Sequence, residues 1–302
     1  NTVTTIDFAK RYKGHGWVGI RFQTEPEGGY NDIILHIRFH QTETRAQQET
    51  LGKLGVNLIH SAFYKADKPQ RIVKYLYDHI DKDLIEIDMI NFSGPKFAGV
   101  DNRLMSLQLI KNGMTEAVMF DADGNNQLPA EQLYKKNILT LRGSFRPVTN
   151  VNIDMLERSL ELFLKEKGVE KDNTQVIFEI TLSNLLASGE LDEQDFMDRA
   201  RILCSLGYKV LISNFKEYYR LAEYFSNYTK AQMGMVMGAD NLIAIFEEDY
   251  YKHLSGGILE AFGKLFYRDI KIYLYPMRNK ETGQIITSNN IHVSPRMKEL
   301  YK

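Results

Sequence analysis

The sequence predicts an α/β protein in which a mixed α/β domain precedes a doubly wound parallel sheet. From about residue 136 onward, short apolar segments alternate with longer segments of helical character. Those apolar segments are continuous, as expected of strands buried on both faces of a parallel sheet. The first half instead contains a segment of strictly alternating polarity, which is typical of a half-buried strand. We therefore predict two domains, residues 1–135 and residues 136–302.

The first domain is predicted to mix strands and helices. In the segment 33–39, every second residue is apolar and the residues between are mostly polar. Proline at position 69 suits the first turn of a helix, where its missing N–H costs nothing. The expected strands are 17–22, 33–39, 84–92 and 117–120, and the expected helices are 44–63, 69–80 and 102–111.

The second domain is predicted to alternate strands and helices more regularly, as parallel sheets require. The predicted boundary lies near residues 125–136 and rests on a polar stretch of glycine, asparagine and glutamine that begins at Gly124. The expected strands are 138–141, 176–180, 209–213, 233–237 and 270–275. The expected helices are 152–167, 193–206, 218–228, 241–246, 257–266 and 295–301.

Composition favours an ordinary cytoplasmic protein. Of 302 residues, 43% are hydrophobic and 25% are charged, which is enough to build a substantial core. The 38 basic and 39 acidic side chains leave a net charge of −1, which disfavours nucleic acid and anionic membranes as partners. No apolar run approaches the roughly 18 residues that a membrane-spanning helix needs. Because the chain begins at Asn1, we interpret it as a fragment, a processed form or part of a longer protein.

The single cysteine, Cys204, excludes an internal disulfide and fits a reducing compartment. It lies in an apolar run, so a buried and unreactive thiol is favoured over a nucleophile. Numerous tyrosines would suit a homo-oligomer, although nothing in the sequence establishes one.

A glycine and a proline connect the predicted strand 138–141 to the helix after it. The connection is Arg142-Gly143-Ser144-Phe145-Arg146-Pro147-Val148-Thr149-Asn150. Glycine allows the backbone to approach a phosphate closely, and the helix start offers unpaired N–H groups. The turn therefore predicts a phosphate-binding site at the carboxyl end of this strand.

Two segments resemble the nicotinamide/nicotinate mononucleotide adenylyltransferases of the nucleotidyltransferase superfamily. The turn matches their G-x-F-x-P-x-H/T-x-x-H signature at Gly143, Ser144, Phe145, Pro147 and Thr149, with Asn150 as in a Thr-Asn variant. The segment from Gly238 through Asp240 to Leu242 resembles their G-A-D-N-L. The resemblance covers about residues 136–302. It implies a Rossmann-like nucleotidyltransferase fold, ATP and Mg²⁺ as cofactors, and adenylyl transfer in NAD biosynthesis.

A third segment matches only in part. Ser294 and Arg296 stand where the family places a serine-rich helix start and an arginine that hold triphosphate. Asn152 stands where the signature has a histidine that stabilises charge during transfer. An asparagine amide donates a hydrogen bond but carries no positive charge, so Arg146, Arg142 or Arg296 would have to supply it. The resemblance thus implies Asn152 and Arg146 as catalytic residues.

The sequence supports three functional hypotheses. The first is transfer of adenylyl from ATP to a nicotinate or nicotinamide mononucleotide, with a small nucleotide as partner. The alternative is a nucleotide-binding or scaffold protein that keeps the fold without transferase activity, which Asn152 favours. The third is a different reaction at a polar cluster of the first domain, comprising Glu86, Asp88, Asp101, Asn102 and Arg103.

Two other patterns favour structural interpretations. The segment 121–126 resembles a calcium loop, but its sixth residue is Asn126 and its twelfth is Gln132, so a turn is predicted. His36, Arg38 and His40 share one strand face, which we interpret as a solvated face rather than a metal site. Asp101 is equally well explained as the N-cap of the helix after it.

Overall fold

The computed structural model describes residues 1–10, 13–187, 189–279, 282–291, 293 and 297–298. Within these ranges the strands are β1 (Thr2–Thr4), β2 (His15–Phe22), β3 (Asn31–Phe39), β4 (Ile85–Ser93), β5 (Ala117–Phe120), β6 (Asn126–Gln127), β7 (Asn137–Arg142), β8 (Thr174–Thr181), β9 (Lys209–Ser213), β10 (Met233–Gly238), β11 (Ile270–Tyr275), β12 (Met277–Arg278) and β13 (Ile285–Ile286). The α-helices are α1 (Thr44–Tyr64), α2 (Pro69–Tyr75), α3 (Asn102–Lys111), α4 (Pro129–Leu133), α5 (Asn150–Phe163), α6 (Leu182–Leu185), α7 (Glu193–Ser205), α8 (Tyr218–Ser226), α9 (Ala239–Ile245) and α10 (Gly257–Leu265). Short 3-10 turns lie at Pro95–Phe97, Lys171–Asn173 and Glu248–Tyr251. Of the helix expected at 295–301, only residues 297–298 are among the described residues.

The strands form three sheets. Four strands make an antiparallel sheet in the order β1-β2-β3-β4. Seven make a second sheet in the order β11-β10-β7-β8-β9-β5-β6, in which β10 pairs parallel with β11 and β7, and β7 pairs parallel with β8. A small hairpin joins β12 to β13. The predicted α/β class is confirmed, and the nucleotidyltransferase version of it stays a prediction. Among the described residues, no helix is long and apolar enough to cross a membrane.

The chain divides into two compact units. The first unit comprises Asn1–Pro129, Glu190–Gly207 and Leu211–Asn214, and the second comprises Ala130–Gly189, Tyr208–Val210 and Phe215–Lys302. In the first unit, α1 contacts β2 and α3 contacts β4. The alternating residues of β3, Ile33, Leu35, Ile37 and Phe39, are completely buried, so the half-buried strand predicted there is confirmed.

The predicted solvated face of β3 is wrong for His36. This side chain is only 4% exposed. The ring of Trp17 packs edge-on against it at 5.1 Å between centroids, and a carboxylate oxygen of Asp88 lies 2.6 Å from its Nδ1. Neighbours on the adjacent strands therefore cover a polar side chain that the alternation alone assigns to solvent.

Helix ends differ from the expected ones where side chains bind the backbone. The second helix ends at Tyr75 rather than at residue 80, and the Asn57 amide donates hydrogen bonds to the carbonyls of Leu76 and Asp78. Helix α5 starts two residues earlier than expected. The Thr149 side chain accepts from the backbone N–H of Asn152 and begins this helix in a capping box.

Three local expectations are confirmed, for Cys204, for Asp101 and for the turn after Asp121. Cys204 is buried, and burial raises the pKa of its thiol to about 11, so it stays protonated at neutral pH. Asp101 caps α3, since its side chain accepts from the backbone N–H of Arg103. The segment after Asp121 is a turn, held by hydrogen bonds from the N–H groups of Asp123 and Asn125 to the Asp121 carboxylate.

In the second unit, the core of the parallel strands leaves no room for a side chain at Gly234. A Cβ there would lie 2.8 Å from Leu139 and 2.9 Å from the Tyr273 ring. We expect Gly234→Ala to lower the free energy of unfolding by about 1–3 kcal/mol, because neither neighbour can move away inside a packed sheet. Urea denaturation measures this change.

Gly263, within α10, is the matched control, since nothing lies within 4 Å of a Cβ at that position. Gly263→Ala should leave stability unchanged or raise it by up to about 1 kcal/mol, because alanine favours a helix over glycine. Equal effects of the two substitutions would contradict the described packing of β7, β10 and β11.

Candidate functional site

A cavity of about 450 Å³ opens in the second unit at the carboxyl ends of β7 and β8. This is the edge of a parallel sheet where ligands bind in open α/β folds. The described residues that line the cavity are Arg142, Gly143, Ser144, Thr181, Ser183, Asn184, Lys216, Tyr218, Asn241, Ala244, Ile245 and Tyr250. Its lining therefore combines hydroxyls, amides, two cations and two aromatic rings.

A buried ion pair forms the floor of this cavity. The Arg142 Nε donates to one carboxylate oxygen of Glu179 at 2.7 Å, and the Nη2 donates to the other at 2.9 Å. The Glu179 side chain is completely buried and that of Arg142 is 9% exposed. Burial alone would lower the pKa of Arg142, but the charge and hydrogen bonds of Glu179 raise it, so the guanidinium stays charged.

A third hydrogen bond fixes the orientation of the guanidinium. The Arg142 Nη1 donates to the backbone carbonyl of Lys216 at 3.1 Å. A guanidinium has five N–H groups, and these contacts use three of them. The two remaining N–H groups have no partner among the described residues and belong to a side chain that lines the cavity. They are therefore held in a fixed orientation as donors that no described residue uses.

The ring of Tyr218 lies beneath the same guanidinium, 4.4 Å from its central carbon. This side chain is 7% exposed, yet its hydroxyl has no hydrogen-bond partner in the described part of the chain. Burial raises its pKa to about 12, so the hydroxyl is protonated at neutral pH. A buried hydroxyl without a partner is costly, and the residue that carries this one is among those lining the cavity.

Lys216 supplies the second cation of the lining. Its amino group lies 5.5 Å from the centroid of the Tyr250 ring, and the Tyr250 hydroxyl donates to the Lys216 carbonyl at 2.7 Å. Lys216 is exposed and forms no ion pair among the described residues, whereas Arg142 is already paired. The net positive charge of the lining therefore comes from Lys216.

The structure places two of the predicted nucleotide-binding residues, Gly143 and Ser144, in the cavity lining. Phe145 lies behind them, 4% exposed, with its ring 4.9 Å from that of Phe178. A Cβ at position 143 would lie 2.8 Å from the Phe145 ring. Close packing of this ring therefore requires glycine there, whether or not a phosphate binds. The Asn184 amide donates to the Gly143 carbonyl at 3.2 Å and holds the turn in place.

The other turn residues lie outside the lining. Arg146, Pro147 and Thr149 are exposed, and none of them lines the cavity. The Asn152 Oδ1 accepts hydrogen bonds from the backbone N–H and the hydroxyl of Thr149, both at 2.9 Å. This contact gives Asn152 a structural role in starting α5.

The second predicted segment contributes to the site through neighbouring residues. Gly238 ends β10, Asp240 is exposed in the first turn of α9, and neither lines the cavity. Asn241 and Ala244 of the same helix do line it. Ser294 and Arg296 lie outside the described residues.

Most of the cavity was not predicted from the sequence. Glu179, Lys216, Tyr218 and Tyr250 were not expected to be site residues. One signal was available, since Glu179 is a lone carboxylate inside the apolar strand β8, where an unpaired charge is very unfavourable. The aromatic residues carry no comparable signal, because tyrosines at helical spacing usually belong to a core.

The residues of the polar cluster proposed for the first domain do not all line the same cavity of the first unit. Asp101, Asn102 and Arg103 line a cavity of about 430 Å³ together with residues 123–126. Glu86 and Asp88 do not line it and lie on β4 instead. Within the described residues, no group of three or more histidine, cysteine, aspartate or glutamate side chains is arranged to hold a metal ion.

The chain was compared with known proteins, and no protein-family model, no curated protein and no solved structure matches it. A function for the cavity therefore rests on its geometry and on the chemistry of the residues that line it.

Breaking the buried pair should destabilise the second unit. We expect Glu179→Gln to lower the free energy of unfolding by about 3–5 kcal/mol, because it leaves the Arg142 charge buried without compensation. The double variant Arg142→Met, Glu179→Leu should recover most of this loss, since an apolar pair removes both charges. Urea denaturation of the three proteins measures the effect. A Glu179→Gln protein as stable as the original chain would show that the pair is not buried as described.

Proposed function

We propose that the second unit is a nucleotidyltransferase-like domain that binds the phosphates of a nucleotide such as ATP in the Arg142–Tyr218 cavity. The observation that carries the proposal is the unpartnered hydroxyl of Tyr218 beside two unused N–H groups of Arg142. Phosphate oxygens accept several hydrogen bonds at once and suit such converging donors. The resemblance of the Gly143 turn to adenylyltransferases supports the nucleotide class.

The charges of the lining limit how the ligand is held. Because Glu179 neutralises Arg142, the arginine acts mainly through directed hydrogen bonds, and Lys216 supplies the attraction for a negative group. The half-buried ring of Tyr250 offers an aromatic surface for a base. No carboxylate is present among the described residues of the lining. These residues therefore do not fit a protein-bound Mg²⁺, and no step is assigned to that ion.

Adenylyl transfer is the reaction that the resemblance implies for this site. The phosphate of a nicotinate or nicotinamide mononucleotide would attack the α-phosphorus of ATP in line, the α–β bridging bond would break, and pyrophosphate would leave. Such a reaction needs no covalent intermediate and depends on positioning and charge stabilisation. Arg142, Lys216 and Tyr218 are the groups of the cavity suited to hold the phosphates.

Nucleotide binding without transfer is the second candidate, and the position of Asn152 favours it. The resembled signature uses a histidine at this position for charge stabilisation. Here the side-chain oxygen of Asn152 is engaged in the cap of α5. Arg146, which would have to replace that charge, does not line the cavity.

Replacing the unpartnered hydroxyl of Tyr218 should weaken ATP binding without lowering the stability of the protein. We expect Tyr218→Phe to weaken ATP binding about tenfold, the equivalent of one hydrogen bond to a charged group, while thermal stability is unchanged or higher. Stability should not fall, because the substitution removes a buried polar atom without a partner. Isothermal titration calorimetry measures the affinity. Tyr134→Phe, an exposed tyrosine of the same unit, is the control and should change neither quantity.

The two candidate functions differ in pyrophosphate release. Incubation with ATP, Mg²⁺ and each mononucleotide should release pyrophosphate if the domain transfers adenylyl. Binding of ATP without release would reject the transfer and keep the binding function. Two results together would reject both functions. The chain would not bind ATP, and the original chain and Tyr218→Phe would bind every other nucleotide with the same affinity.

A further inference from the structure

Three polar side chains of the first unit form a hydrogen-bonded chain that runs from its interior to its surface. The Nδ1 of His36 lies 2.6 Å from a carboxylate oxygen of Asp88, and the Nε2 of His36 lies 3.4 Å from the Nδ1 of His15. Asp88 and His36 are 3% and 4% exposed, whereas His15 is exposed. The three residues lie on the adjacent strands β4, β3 and β2.

The buried end of this chain fixes the direction of its hydrogen bonds. A carboxylate oxygen accepts hydrogen bonds, so in the tautomer that a relay uses His36 donates its Nδ1–H to Asp88 and accepts at Nε2. His15 must therefore donate its Nδ1–H to His36. The remaining nitrogen of His15, Nε2, keeps its lone pair.

The surroundings favour proton transfer along the chain. The second carboxylate oxygen of Asp88 is buried and has no hydrogen-bond partner among the described residues. A proton on His36 would supply a positive charge directly beside it. The other charged groups around the chain are Arg38 and Glu86, whose side chains lie 3.8 Å apart, nitrogen to oxygen. Burial raises the pKa of Glu86, whereas Arg38 helps to lower the pKa of His15.

We propose that His15 is a reactive histidine that accepts acyl groups from activated carbonyl compounds, and that His36 and Asp88 form a proton relay behind it. This site lies in the first unit and is independent of the function proposed for the second. His15 is the reacting group. His36 and Asp88 are positioning residues, which act by taking up the proton that His15 must release.

The proposed step conserves atoms and charge. The Nε2 of His15 attacks the carbonyl carbon, the bond to the leaving group breaks, and the leaving group departs as an anion with the bonding electrons. The acylated ring then loses its Nδ1 proton to the Nε2 of His36. The products are a neutral acyl-imidazole at His15 and an imidazolium at His36, which pairs with the Asp88 carboxylate.

The protonation state of His15 at neutral pH suits this role. Burial lowers the pKa of His15 below its ordinary value, as do a proton on His36 and the charge of Arg38, while Asp88 opposes the shift. The ring is therefore neutral at pH 7 and becomes protonated, and unreactive, only in more acidic solution. Reactivity should fall as the pH is lowered through this reduced pKa.

Diethyl pyrocarbonate, an activated carbonyl reagent, tests the proposal on the whole chain. Mass spectrometry gives the rate of modification of each histidine in the same molecule. We expect His15 to react at least about tenfold faster than the exposed His60 at pH 7, which is less than the roughly 100-fold that a positioned proton acceptor contributes in enzymes. His36→Gln and Asp88→Asn should reduce this ratio to near one, whereas His79→Gln, a second exposed histidine, should leave it unchanged.

Two results would overturn the proposal. The first is a His15 that reacts no faster than His60 in the unaltered chain, which requires no variant at all. The second is a ratio of the His15 and His60 modification rates that is unchanged in His36→Gln. Trp17, the only tryptophan, packs against His36, so its fluorescence shows whether each variant keeps the local fold. If the ratio falls in Asp88→Asn, a normal emission spectrum assigns the loss to the relay rather than to unfolding.

Discussion

The second unit depends on the ion pair between Arg142 and Glu179. These residues are register partners at the ends of the parallel strands β7 and β8. Removing two charges from water is very unfavourable unless their hydrogen-bonding groups are satisfied, and here the carboxylate receives two direct bonds from the guanidinium. The pair therefore specifies one arrangement of the strand ends.

The same guanidinium organises the remainder of the cavity. Its bond to the Lys216 carbonyl fixes the segment before α8, and its position over Tyr218 places that ring in the lining. Tyr250 binds the same carbonyl and brings the region after α9 to the site. Separate parts of the chain thus meet around this guanidinium and the Lys216 carbonyl that it binds. The cavity is thus lined by residues that also satisfy a buried charge.

A buried carboxylate also organises the sheet face of the first unit. Asp88 is held by His36, and His36 is covered by Trp17 and His15. The two carboxylates differ in what binds them. Glu179 faces a permanent cation and is static, whereas Asp88 faces an imidazole that can gain or lose a proton. This difference underlies the two proposals, which are ligand binding beside Glu179 and proton transfer beside Asp88.

The sequence predicts the elements better than the site. Strands such as β5, β9 and β11 match their expected ranges, because short apolar runs between turn residues have few alternatives. The turn at Gly143 and Ser144 was also located. Tyr218 and Lys216 could not be found, since they reach the cavity only through a contact with Arg142, which lies 74 residues away from Lys216. His36 was misassigned because alternation identifies a face of a strand but not what covers it.

The central claim is that Arg142 and Tyr218 hold unused donors for a phosphate. A crystal structure of the chain with a non-hydrolysable ATP analogue tests it most directly. We expect a phosphate oxygen within hydrogen-bonding distance of the Tyr218 hydroxyl and the Arg142 Nη atoms, with the Arg142–Glu179 pair intact. A Tyr218 hydroxyl bonded to another protein group, or an analogue bound away from this cavity, would contradict the claim.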